Sequence, residues 1–144
     1  LMLGIISSIV AGMCMSFQGV FNTRLSDKIG TWGTNVLVQG IGLVITVAAL
    51  LITGDGNFKN LKTSNKLYLL GGVLGAIIIY TVMRGIRSLG PTCSIAIILV
   101  AQLTSAALID AFGLFDTPQI RFGITKLIGV IIMIIGILIF RYKC

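Results

Sequence analysis

The chain has 144 residues, of which 56% are apolar and only 10% charged. A soluble domain carries about a quarter charged residues, so this composition excludes one, and it is far too apolar for a disordered chain. The net charge of +7 is no nucleic-acid signal. The 11 Lys and Arg residues lie almost entirely between or at the ends of apolar runs, where bases anchor helices at lipid headgroups.

A bilayer core is about 30 Å thick and takes roughly 20 apolar residues per helix. Five runs meet that need. They are predicted at Leu1–Phe21, Thr34–Thr53, Leu67–Ile86, Thr92–Phe115 and Phe122–Phe140. The connections between them, Asn22–Gly33, Gly54–Lys66, Arg87–Pro91 and Asp116–Arg121, are short. The fold class is all-α integral membrane, a single five-helix domain over residues 1–144. Runs such as IGVIIMIIGILIF lack the polar–apolar alternation of a β-barrel strand. The first run has no basic leader and is too long for a signal peptide. The expected location is the cell membrane, multi-pass, with the lipid bilayer as first partner.

There is no His, and the acids are Asp27, Asp55, Asp110 and Asp116. Without His, Glu or a carboxylate pair, no HExxH and no Ser-His-Asp set exists. No Walker lysine motif occurs either. An enzyme is not expected, nor is a cofactor or a metal. Cys14, Cys93 and Cys144 are widely spaced and odd in number, which suits neither a disulfide framework nor a metal site.

Polar side chains inside lipid normally face a cavity or another helix. Gln18 and Asn22 share one face of the first helix, four residues apart. Asn35 and Gln39 do the same on the second, which also carries Thr46, and Tyr80 and Arg84 on the third. The fourth carries Gln102, Ser105 and Asp110. One reading is a polar cavity that binds a solute by hydrogen bonds. The other is interhelical hydrogen bonding that only holds the bundle. Gln18, Asn22, Gln39, Tyr80, Gln102 and Ser105 are the candidate solute-binding residues. Asp110 and Arg84 are candidates for ion coupling or an ion pair. Gly71 and Gly75 form GxxxG beside Gly72, and Gly40 and Gly42 sit in the second helix. Gly129 and Gly136, seven apart on the fifth helix, are the candidate dimer seam, since small residues let backbones approach. That helix has no polar residue between Leu127 and Phe140, so it faces lipid or another subunit.

The strings GVFNTRL (Gly19–Leu25), LYLLGGVLGA (Leu67–Ala76), RSLGP (Arg87–Pro91), AQLTSAALIDAFGLF (Ala101–Phe115) and the GV…IIGILI run resemble, in order and spacing, the YdcZ-like family. That family is a five-helix branch of the drug/metabolite transporter superfamily. The resemblance spans essentially the whole chain. It implies a small-solute transporter built as half of a ten-helix inverted-repeat transporter. Asn22, Gln102 and Asp110 match the family's polar motif positions. The related four-helix small multidrug resistance exporters carry a central glutamate in helix 1. The middle of this chain's first helix reads AGMCMSF, Ala11–Phe17, with no acid. That weakens a drug-cation antiporter reading and is consistent with a neutral or zwitterionic polar solute.

The leading expectation is a secondary transporter using alternating access. Asp110, the only acid well inside a predicted helix, is the default proton carrier. The alternative is a non-transporting assembly or regulatory subunit. A channel is a third reading, but no filter motif supports it. Five helices place the termini on opposite sides. One side then carries Lys59, Lys62, Lys66, Arg121 and Lys126, and the other Arg24, Lys28, Arg84, Arg87, Arg141 and Lys143. Five bases against six give almost no orientation bias. The expectation is dual topology and an antiparallel homodimer, or an opposite-facing heterodimer with a paralogous chain. In such a pair Asp110 of one copy lies toward the same membrane face as Arg24 and Arg84 of the other.

Overall fold

The computed structural model describes residues 2–56, 58, 65–119 and 123–141. They form five α-helices and two short 3-10 turns, and no strand occurs among them. The helices are α1 (Met2–Ile29), α2 (Thr31–Thr53), α3 (Gly71–Leu89), α4 (Pro91–Phe112) and α5 (Ile124–Arg141). A 3-10 turn at Lys66–Leu70 leads into α3, and Asn65 caps it by accepting from the Leu67 N–H at 3.0 Å. Met2–Ile29, Thr31–Thr53, Lys66–Leu89 and Pro91–Phe112 are each long and apolar enough to cross a membrane. Within α5, Leu127–Ile139 is a shorter apolar stretch. The protein is an all-helical, multi-pass membrane protein. The chain forms two compact units, Leu1–Arg84 and Gly85–Cys144.

Helix ends differ from those that hydropathy predicts. Hydropathy places Asn22–Ile29 in a connection, yet α1 runs through it for 28 residues in all. That is ~42 Å of helix, longer than the hydrocarbon core. The segment holds no Gly or Pro to break the helix, and its buried Asn22, Thr23 and Ser26 pack one face. Hydropathy marks where lipid ends, not where the helix does. The connection to α2 shrinks to Gly30, with φ 81° and ψ 161°. This region of backbone space is essentially open to glycine alone.

The same turn recurs in the second unit. Gly90 joins α3 to α4 with φ 78° and ψ 164°. Its N–H donates to the Ile86 carbonyl at 2.9 Å, as the Gly30 N–H does to Ser26 at 3.0 Å. The Gly90 carbonyl accepts from Ser94 at 3.2 Å, as Gly30 does from Thr34 at 3.0 Å. Pro91 occupies the first turn of α4, where its missing N–H is no loss. At the other end α4 stops at Phe112 instead of Phe115. Gly113 turns left-handed there (φ 59°) and donates to the Ile109 carbonyl.

Candidate functional site

In the first unit, one strip of α1 is buried: Gly19, Asn22, Thr23 and Ser26. Their spacing puts them on a single face. On α2 the buried residues are Thr34 and Asn35. The hydroxyls in this strip are satisfied locally. Thr23 donates to the Gly19 carbonyl at 2.7 Å, Ser26 to Thr23 at 2.7 Å and Thr34 to Gly30 at 3.0 Å. Asn35 instead crosses between helices, its Nδ2 donating to the Ala76 carbonyl of α3 at 2.8 Å. Gly75 stands beside it, and a Cβ placed there would lie 3.8 Å from the Gln39 Nε2. Asn35 therefore joins α2 to α3, and Gln39 lies against the α3 backbone one turn further on.

An aromatic and basic cluster joins the start of α2 to the last turns of α3. The rings of Trp32 and Tyr80 stack, with centroids 5.0 Å apart and planes 25° from parallel. The Arg84 Nη1 donates to the Tyr80 hydroxyl at 3.1 Å. The guanidinium carbon lies 5.9 Å from the centre of the same ring. Tyr80 is half-buried, whereas Trp32 and Arg84 are exposed. Gln18 and Gln39 are also exposed, while Asn22 is buried.

In the second unit, Gln102 and Ser105 are exposed on α4. Asp110 is partly buried and lines a cavity of about 280 Å³ between α4 and α5. Its walls are otherwise apolar and small: Ala106, Ala107 and Gly129 leave space that Leu103 and Met133 only border. A Cβ at Gly129 or Gly136 would meet nothing within 4 Å among the described residues. Gln119 folds back to donate to the Ala111 carbonyl at 2.9 Å, which fastens the segment after α4. Cys93 is buried and disulfide-bonded, which corrects the sequence reading of unpaired cysteines. Odd number and wide spacing carried no signal of that pairing. Cys14 is free and exposed.

Sequence reasoning missed Trp32, Thr23, Ser26 and Thr34. Trp32 is the chain's one tryptophan, at a helix start, where aromatic side chains mark the membrane interface. The hydroxyls had a signal too, since Thr23 and Ser26 extend the Gly19–Asn22 face. Lys59, Lys62, Arg121 and Lys143 lie outside the described residues.

A family model described as "Putative inner membrane exporter, YdcZ" matches residues 3–139. The chain belongs to the YdcZ family. It is 25% identical over 132 residues to the inner membrane protein YdcZ of Escherichia coli (strain K12), covering 89% of this chain and 87% of the relative. No solved structure matches. The family match runs from the first turn of α1 to within two residues of the end of α5.

Proposed function

We propose that this YdcZ-family protein is a secondary transporter that exports small polar solutes by alternating access as an antiparallel dimer. Family membership and five apolar helices support membrane transport over enzymatic activity. The observation that carries the finer reading is the exposure of Gln18, Gln39 and Gln102 on the chain's own surface. All three lie well inside apolar helices. An amide without a partner in hydrocarbon costs roughly 2–7 kcal/mol. A second copy with a polar solute path between the two removes that cost.

The near-equal basic count on the two sides lets this copy insert inverted. Ten helices then surround one site, the size of the larger inverted-repeat carriers. The Gly129–Gly136 face of α5, open to close approach, is the proposed seam. A heterodimer with a paralogous chain would satisfy the same geometry. Asn22, Gln39, Tyr80, Gln102 and Ser105 contribute hydrogen bonds to the solute, with Gln18. Asp110, held in the α4–α5 cavity, is the coupling group.

Purified protein in liposomes, supplied with a panel of labelled polar metabolites, tests this directly. Wild type moves at least one of them with saturation. Gln102→Leu abolishes that flux and leaves a folded protein. Flux from no metabolite, with the protein folded, would instead support the non-transporting subunit. Asp110→Asn should remove the pH dependence of accumulation. Full retention of that dependence would exclude Asp110 as proton carrier.

A further inference from the structure

Arg84 differs from an ordinary interfacial arginine. It lies five residues before the end of α3, roughly 7 Å of helix rise from that end. Trp32 is the second residue of α2. Both therefore sit near the membrane interface, where Trp and Tyr side chains concentrate. Among the described residues, the Tyr80 hydroxyl is the one hydrogen-bond acceptor of Arg84, and no carboxylate pairs with it. Arg84 is exposed, so the other N–H donors of the guanidinium fork are open to a ligand.

An internal control lies at Arg24. It stands six residues before Gly30, as Arg84 stands six before Gly90. Four residues back from Arg24 is Val20, where Arg84 has Tyr80. A headgroup anchor of the Arg24 kind needs no bracing, because a free side chain snorkels and keeps its rotamer entropy. Arg84 is braced twice, by the Tyr80 hydroxyl and by the ring that Trp32 backs. Bracing a guanidinium before a ligand arrives lowers the ordering cost of binding. The planar fork matches the paired oxygens of a carboxylate or phosphate.

We propose that Trp32, Tyr80 and Arg84 form an oxyanion-binding site at the membrane interface. Arg84 supplies the charge-assisted hydrogen bonds. The stacked rings hold the guanidinium and offer an apolar wall beside it. The ligand is a phosphate or carboxylate group, either on the headgroup of an anionic phospholipid or on a free small anion. The site shares Tyr80 with the proposed solute path, but binding at it requires no flux, so the two readings fail separately.

Trp32 is the only tryptophan in the chain, so its fluorescence reports on this site alone. The experiment titrates protein in phosphatidylcholine nanodiscs with inorganic phosphate, and compares nanodiscs that also contain phosphatidylglycerol. A saturable change in Trp32 emission, weakened by added sodium chloride, is expected. A response confined to phosphatidylglycerol assigns a lipid headgroup. A response to phosphate in phosphatidylcholine alone assigns a free anion. Arg84→Gln should weaken the response by about tenfold or more, and Arg24→Gln should leave it unchanged. Arg84→Lys keeps the charge and loses the fork, so it should weaken binding and still fold. The proposal fails if wild type responds to neither probe, if Arg24→Gln and Arg84→Gln lose the response equally, or if Arg84→Lys binds as wild type does.

Discussion

The turns at Gly30 and Gly90 share one backbone and hold different interiors. Both glycines sit in the conformation that a Cβ disfavours, and both close the same pair of hydrogen bonds. Around Gly30 the buried side chains are Asn22, Thr23, Ser26, Thr34 and Asn35. Around Gly90 they are Ile86, Cys93 and Ser94. Thr34 and Ser94 occupy the same step after the glycine. Thr34 turns its hydroxyl to the Gly30 carbonyl, while Ser94 directs its Oγ toward Gly85. The comparison separates two things the chain specifies independently. Glycine sets the turn, and the residues on either side set what the turn encloses. In the polar lining Thr23, Ser26 and Thr34 donate to nearby backbone carbonyls, and Asn35 crosses to α3.

The largest test of that comparison replaces both glycines. Gly30→Ala and Gly90→Ala should each cost about 1–3 kcal/mol, because each forces a Cβ into strained backbone space. Thermal unfolding in detergent should show losses of similar size. A large loss at one position and none at the other would break the equivalence of the turns. Gly85→Ala comes next. Its new Cβ would lie 2.6 Å from the Ser94 Oγ, so it should cost about 1–2 kcal/mol through overpacking. Adding Ser94→Ala should recover most of the loss, and a double variant no better than the single would locate the strain elsewhere. The smallest effect is at Asn35. Replacing it with Leu removes one interhelical hydrogen bond and should cost about 0.6–1.7 kcal/mol. No measurable change in the melt would show that the bond to Ala76 holds nothing.

What the sequence made legible follows from what hydropathy measures. The apolar runs located every helix, because lipid demands some 20 apolar residues whatever their order. They did not locate the helix ends. Asn22–Ile29 is polar enough to leave hydrocarbon and contains nothing to stop a helix, so α1 continues to Gly30. The family resemblance was legible in motifs such as the Gln102-to-Gly113 run, and the family match over residues 3–139 bears it out. The bracing of Arg84 was only half legible. The four-residue step from Tyr80 placed both on one face. The stacking of Trp32 depends on how α2 meets α3, which no local pattern encodes. The cavity beside Asp110 is of the same kind: Ala106 and Ala107 follow no pattern in sequence and Gly129 reads there only as a seam residue, yet together they leave a void.

The proposed antiparallel dimer sets two copies in opposite orientations, so that each covers the other's exposed amides. Cys14→Ser with Cys93→Ser leaves Cys144 as the chain's single thiol, at its C-terminus. A membrane-impermeant maleimide added to intact cells then reads which side that terminus occupies. In the proposed dimer about half of the chains should label, because the basic residues give almost no orientation bias. Labelling of all the chains, or of none, would contradict it.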